Sequence, residues 1–167
     1  MSPLFAWDAL RTRRSVGLSD LMEPAPEGEA LRDILTVATR VPDHGKLAPW
    51  RLVVLHASGA RALGEIAAAR AEAVKGPLAQ EALAQERQRF SRAPLCVAVL
   101  STPQGEDKPI WEQQLSAGCV CMNMLHAAHA LGFAGKWLTE WVAYDPVILE
   151  ALGGQAQDRI AGFIYMG

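Results

Sequence analysis

The sequence predicts an α/β or α+β domain, a class in which helices cover a β-sheet. Three observations predict it. The 167 residues suffice for one domain, residues 1–167, with a sizeable core, and are too few for two of ordinary size. Half of the residues are apolar and a fifth are charged, the balance of a soluble globular chain. Helical and strand-like stretches alternate in the order ααβααβαβαβ, without internal repeats or low-complexity linkers.

The elements follow in that order. "SPLFAWDALRTR" reads as a short helix with Leu4, Phe5, Ala9 and Leu10 facing inward. "GLSDLMEPAPEG" is irregular, because its two prolines forbid a continuing helix. In "EGEALRDILTVATR", Leu31, Ile34, Leu35 and Ala38 fall at i, i+3, i+4 and i+7, one apolar helix face, and Pro42 ends the helix. "WRLVVLHA" (50–57) is leucine-rich and β-branched and reads as a buried strand. Ser58 can cap a helix over 59–76, and after Pro77 a second helix fits 78–93; both are rich in good helix formers. "PLCVAVLS" (94–101) is a second buried strand, and "TPQGEDKP" is a polar loop. "IWEQQLSAGCVCMNMLHAAHAL" (110–131) is the longest helix. It is apolar on nearly all sides after Gln114, so a core or a subunit interface must cover it, and Gly132 ends it. "FAGKWLT" is a third strand. "DPVILEALGG" is a short helix with Asp145 as N-cap, Pro146 in its first turn and Gly153 as C-cap. "DRIAGFIYMG" is the last strand.

Charge and composition exclude several classes. A net charge of −2 gives no electrostatic reason to expect nucleic acid or an anionic membrane. Three cysteines, two of them in the close pair Cys119 and Cys121, do not make a disulfide framework and fit a reducing cytoplasm. The basic residues of "MSPLFAWDALRTRR" follow its apolar part, the wrong order for a signal peptide. No run of eighteen apolar residues suggests a membrane span.

Positive charge is nonetheless clustered. Arg13, Arg14 and Ser15 bring two forked guanidinium groups and a hydroxyl to a helix end, a set suited to a phosphate. The plainer reading is a solvated basic end that complements the helix dipole. "RVPDHGKLAPWR" (40–51) gathers Arg40, Asp43, His44 and Lys46 before a strand. Asp43 could orient His44 as in a hydrolase, but no G-x-S-x-G elbow supplies a nucleophile and no triad can be assembled. The alternative is an Asp43 turn with Gly45 at positive φ. Cys119, Met122, His126 and His129 share one helix face, yet C-x-C is not a structural zinc spacing and no second ligand cluster completes a tetrahedron, so no metal is expected. No G-x-G-x-x-G follows a strand, and there is no Walker loop. Phosphate-grade cations and tryptophans without a nucleophile, an acid–base pair or a metal point to chemistry carried by a bound cofactor, with no catalytic side chain to name.

"RTRRSV", "EPAPEGEALRDILTVATRVPDHGKLAPWRLVVL", "WEQQLSAGCVCMNMLHAAHALGFAGKWLT" and "DRIAGFIYMG", in that order, resemble the FMN-dependent nitroreductase family along essentially the whole chain. The resemblance implies an α+β sandwich, a mixed and mainly antiparallel sheet flanked by helices. It implies a homodimer with FMN bound at the subunit interface. By the same likeness Arg13, Arg14 and Ser15 contact the FMN phosphate and ribityl chain, and Arg40 and His44 complete the site of the partner subunit. Trp137, Leu138 and Thr139 match a second FMN segment. Ala127, Ala128, His129, Ala130, Leu131 and Gly132 match a stretch associated with NAD(P). The compact branch of the family carries arginine where this chain has Leu18 and Leu138. The implied activity is NAD(P)H-dependent reduction of nitroaromatic or similar electron-poor small molecules, by ping-pong hydride transfer through flavin N5. A different flavin reaction (dehalogenation, enone or quinone reduction) and a weakly active flavin-binding protein are the implied alternatives. Lys136, or Arg40 across the dimer, is the candidate cation near the flavin N1–C2=O edge.

Overall fold

The computed structural model of the chain describes residues 3–105 and 107–167, with side chains from Trp7 onward. Its elements are α1 (Pro3–Thr12), α2 (Gly28–Ala38), β1 (Trp50–Leu55), α3 (Ala57–Lys75), α4 (Gln80–Arg87), β2 (Leu95–Ser101), α5 (Ile110–Ala130), β3 (Gly135–Leu138), α6 (Pro146–Ala151) and β4 (Arg159–Met166). The strands form one sheet in the order β1-β2-β4-β3. Every neighbouring pair is antiparallel, the main component of the sheet expected for the α+β class. Two helices in series, α3 and α4, separate β1 from β2, and such an out-and-back excursion returns the chain to enter antiparallel.

Strand alternation sorts the core into two layers. Along β2, Cys96, Ala98 and Leu100 join one apolar cluster with Leu63 and Ala67 of α3 and Ile148 of α6. Leu95, Val97 and Val99 join the other, with Ile34 and Ala38 of α2 and Val120, Met124 and Ala128 of α5. All of β2 is buried, since helices cover both faces of this central strand.

One irregularity shapes the site. Val99 pairs with Gly162 but Leu100 with Ile160, so Ala161 is an extra residue in β4. The bulge aims the Ala161 carbonyl at Trp137, whose Nε1 donates to it at 3.0 Å. A Cβ on Gly162 would overlap that indole.

Several expectations need correction. Leu10 does not face inward; it is 60% exposed, and Trp7 on the same helix is 59% exposed. The expected positions of Leu4 and Phe5 lie outside the described side chains. Ser58 does not cap α3, whose N-cap is His56 without a side-chain hydrogen bond. The helix expected over 78–93 is shorter, because Arg89–Ser91 tighten into a 3-10 turn that buries Phe90 against Phe163, ring centroids 5.0 Å apart. The Asp145 cap forms as expected, accepting from the Val147 amide at 2.9 Å. Gly153, at φ +77°, lies one residue beyond the α6 C-cap, Leu152.

Candidate cofactor site

Two clusters of candidate residues lie at opposite ends of α5. At its C-terminal end the chain after α1 crosses the start of β3. Arg13, Arg14, His129, Gly132 and Gly135 line a cavity of about 280 Å³ there. Arg14 is partly spoken for: its Nη1 donates to the Arg11 and Arg13 carbonyls at 3.1 and 3.0 Å. Arg13 is different. Its Nη1 is buried and has no hydrogen-bond partner among the described residues. A desolvated guanidinium nitrogen without an acceptor is costly unless an anion fills the place. Burial, with the charges of Arg13 and His129, holds the imidazole of His126 below its ordinary pKa. Ser15 is exposed beside this cavity-forming pair.

The segment matched to NAD(P) is not one surface. Ala127 and Ala128 are core residues, Ala130 and Leu131 are exposed, and only His129 and Gly132 of the six line the cavity.

At the other end of α5 the loop after α2 lies along the helix. Asp43 builds the turn: its two carboxylate oxygens accept from the Leu47 and Ala48 amides at 3.1 and 2.7 Å, and Gly45 takes φ +84°. His44 therefore does not pair with Asp43. Its Nδ1 meets Glu112 Oε2 at 2.6 Å instead. Ser116 Oγ donates to the Pro42 carbonyl at 2.8 Å, which fixes the loop to α5. The Asn123 amide donates to the Val37 carbonyl at 2.6 Å and, more weakly, to that of Arg40 at 3.4 Å, while the Arg40 side chain is exposed. Between Glu112 and His129 the helix rises about 25 Å. One protomer therefore does not bring His44 to the Arg13 cavity, whereas the Arg40 backbone, at Asn123, lies about 9 Å of helix rise from His129.

Trp137–Thr139 lie between these ends. Trp137 faces α5, and Leu138 packs into the opposite apolar layer, where Leu18 also packs. Leu18 and Leu138, where the resemblance implies arginine, are thus both partly buried in core. Lys136 stands opposite Tyr165 in the sheet.

Sequence reasoning missed two features. One is a cleft of about 760 Å³ at the open edge of β4, walled by Leu149, Ile160 and Ala161, with Gln114 on α5 and Tyr144 beside it. Ser101, 2% exposed, lines it with an Oγ that has no partner among the described residues. The other is an ion network at the end of β3. Glu140, at φ +53°, accepts from Arg92 through both oxygens and pairs with Arg89 at 3.0 Å. Arg89 also donates to Glu86 at 2.7 Å. Burial opposes ionisation of Glu140, but hydrogen bonds and charge from Arg92 and Arg89 outweigh it and hold the carboxyl below the usual carboxylate range. Only the spacing of Arg89 and Arg92 hinted at this, since the partner is some fifty residues away.

Among the described residues no group of His, Cys, Asp or Glu could hold a metal ion, and no helix is long and apolar enough to cross a membrane.

The nitroreductase family model matches residues 10–167. The chain belongs to the nitroreductase family. It is an oxidoreductase of that family, and its fold is the nitroreductase fold. Over 163 residues it is 39% identical to the Escherichia coli protein named "Putative NAD(P)H nitroreductase YdjA", covering 97% of this chain and 87% of that one. A nitroreductase-like family protein from Bacillus cereus shares its fold at a TM-score of 0.78 and 21% identity, over 97% of this chain and 84% of that chain. A Bacteroides fragilis nitroreductase crystallised with bound FMN superposes at a TM-score of 0.70 and 21% identity, over 97% and 87% of the two chains.

Proposed function

We propose that this nitroreductase-family chain is an FMN-dependent NAD(P)H oxidoreductase, and that it reduces nitroaromatic or similarly electron-poor organic acceptors as a homodimer. The observation that carries the reading is the cavity lined by Arg13, Arg14 and His129, together with a buried Arg13 Nη1 that has no partner among the described residues. It suits a phosphate in charge and in donor chemistry. The solved relative with bound FMN and the NAD(P)H nitroreductase relative support the same cofactor and donor.

FMN, when bound, supplies a hydride relay through N5, so that NAD(P)H and acceptor react in turn in a ping-pong cycle. The chain's own residues do the rest. Arg13, Arg14 and Ser15 hold the phosphate and ribityl chain. Trp137, Leu138 and Thr139 form a wall beside the ring. Arg40 and His44 reach the partner's site, with Glu112 fixing the orientation of His44 through Nδ1. Lys136 or Arg40 is the cation for the N1–C2=O edge; unchanged turnover in both Lys136→Met and Arg40→Met would exclude that role.

The dimer rests on surface. Trp111, Leu115 and Met122 run down α5 as an exposed apolar stripe, and Trp7 and Leu10 continue it on α1, which packs on α5. A second copy, crossing α5 in the opposite direction, would cover the stripe and unite the two ends of the helix. Three free cysteines fit a reducing, cytoplasmic setting.

The test is an absorption spectrum of the purified protein before and after anaerobic addition of NADH or NADPH. Flavin bands that bleach, then return with a nitroaromatic, a quinone or an enone, establish the activity and rank the acceptors. A colourless protein that takes up no added FMN refutes it.

A further inference from the structure

The ion network around Glu140 has no charge to offer a ligand. Its members, Glu86, Arg89, Arg92 and Glu140, balance two against two. What it can do for a neighbouring ligand is therefore geometric.

Glu140 has φ +53° and ψ −175°, a backbone region that glycine occupies freely and other residues enter only under restraint. The restraint is visible. Arg92 grips both carboxylate oxygens, and Arg89 Nη1 adds a third contact at 3.0 Å. Arg92 is itself fixed, its Nε donating to the Arg89 carbonyl at 2.9 Å. That carbonyl also accepts from the Tyr165 hydroxyl at 3.1 Å, which ties the clamp to β4. Arg89 lies against the Trp141 ring, 5.7 Å from its centroid. The strained residue follows Trp137–Thr139 directly.

We propose that Arg89 and Arg92 are positioning residues. They hold Glu140 in a glycine-type conformation and thereby set the Trp137–Thr139 segment as the seat of the flavin. The proposal rests on the FMN reading above. Without the clamp, Glu140 relaxes to negative φ and the segment before it moves. With glycine at this position the conformation needs no restraint. Removing Arg92 and the Glu140 carboxylate together also leaves Arg89 paired with Glu86, so charge stays balanced.

The experiment compares wild type, Arg92→Met, Arg92→Lys and the double variant Arg92→Met/Glu140→Gly. FMN affinity is read from flavin fluorescence quenching, the visible spectrum reports the environment of the bound ring, and the apo-protein Tm reports folding. Arg92→Met weakens FMN binding about tenfold, the order of effect that strain of this kind produces, and alters the flavin bands. Arg92→Lys, which keeps the charge but loses the fork, lies between and serves should the methionine variant not fold. The double variant recovers to within about threefold of wild type, because glycine removes the strain that the clamp restrains. A lower apo Tm with unchanged FMN affinity in the single variants assigns the clamp to stability alone and overturns the proposal, as does a double variant no better than Arg92→Met. Absence of FMN binding by the wild type refutes the cofactor reading itself, a distinct result.

Discussion

Replacing Arg13 by methionine tests the phosphate grip by setting two expected effects against each other. Methionine keeps the aliphatic stem and removes the guanidinium. In the apo protein that group has a buried Nη1 with no partner among the described residues, so its loss relieves a desolvation cost. On the proposed reading, the guanidinium would donate to a phosphate oxygen in the loaded protein, a charge-assisted bond worth about 2 kcal/mol, or about 30-fold in Kd. At FMN of about 100 times the wild-type Kd, ligand binding stabilises the wild type by about 2.7 kcal/mol. For a chain of this length that is a Tm rise of roughly 5–11 °C. At the same FMN concentration the variant gains only about 0.9 kcal/mol, roughly 2–3 °C. Differential scanning fluorimetry with and without FMN reads both effects. The apo Tm of Arg13→Met equals or exceeds that of wild type, while its FMN-induced rise shrinks by more than half. Arg14→Met loses less, because its Nη1 already serves the Arg11 and Arg13 carbonyls. Wild-type FMN affinity in Arg13→Met, or a larger loss in Arg14→Met, refutes the assignment.

Three further outcomes follow from the same geometry. Removing the Arg13 charge takes away one of the influences that lower the pKa of His126, so its imidazole titrates at higher pH in Arg13→Met by proton NMR. Glu140 has a depressed folded pKa; its stabilising contribution is complete above about pH 4.3, the unfolded value, and is lost as pH falls through the folded one. Urea midpoints measured against pH therefore show a shallower acid limb in Glu140→Gln. Leu115→Arg places a charge on a half-exposed α5 position, leaving the protomer folded but monomeric by light scattering and deficient in FMN.

Local patterns carried much of the fold. The α2 face was legible because helical periodicity and burial coincide at Ile34 and Ala38. The α6 cap was legible because Asp145 and Pro146 act within one turn. Tertiary forces decided the rest. Phe90 leaves a helical stretch to reach Phe163, and Leu10 stays exposed although its spacing suits a core face. At the site, the turn role of Asp43 could be read from neighbouring residues, whereas the partner of His44 could not, since Glu112 arrives from α5, 68 residues along the chain. Gly162 carries no local signal either; it matters because an indole from β3 lies across it.

The separation of the two clusters along α5 has a genetic consequence. If each flavin touches Arg13 of one chain and His44 of the other, two defective chains can repair one another. A chain altered at Arg13 and a chain altered at His44, coexpressed, would form mixed dimers in which one site inherits both lesions and the other inherits neither. Half of the mixed species' sites would then be wild type in composition, although no wild-type chain is present.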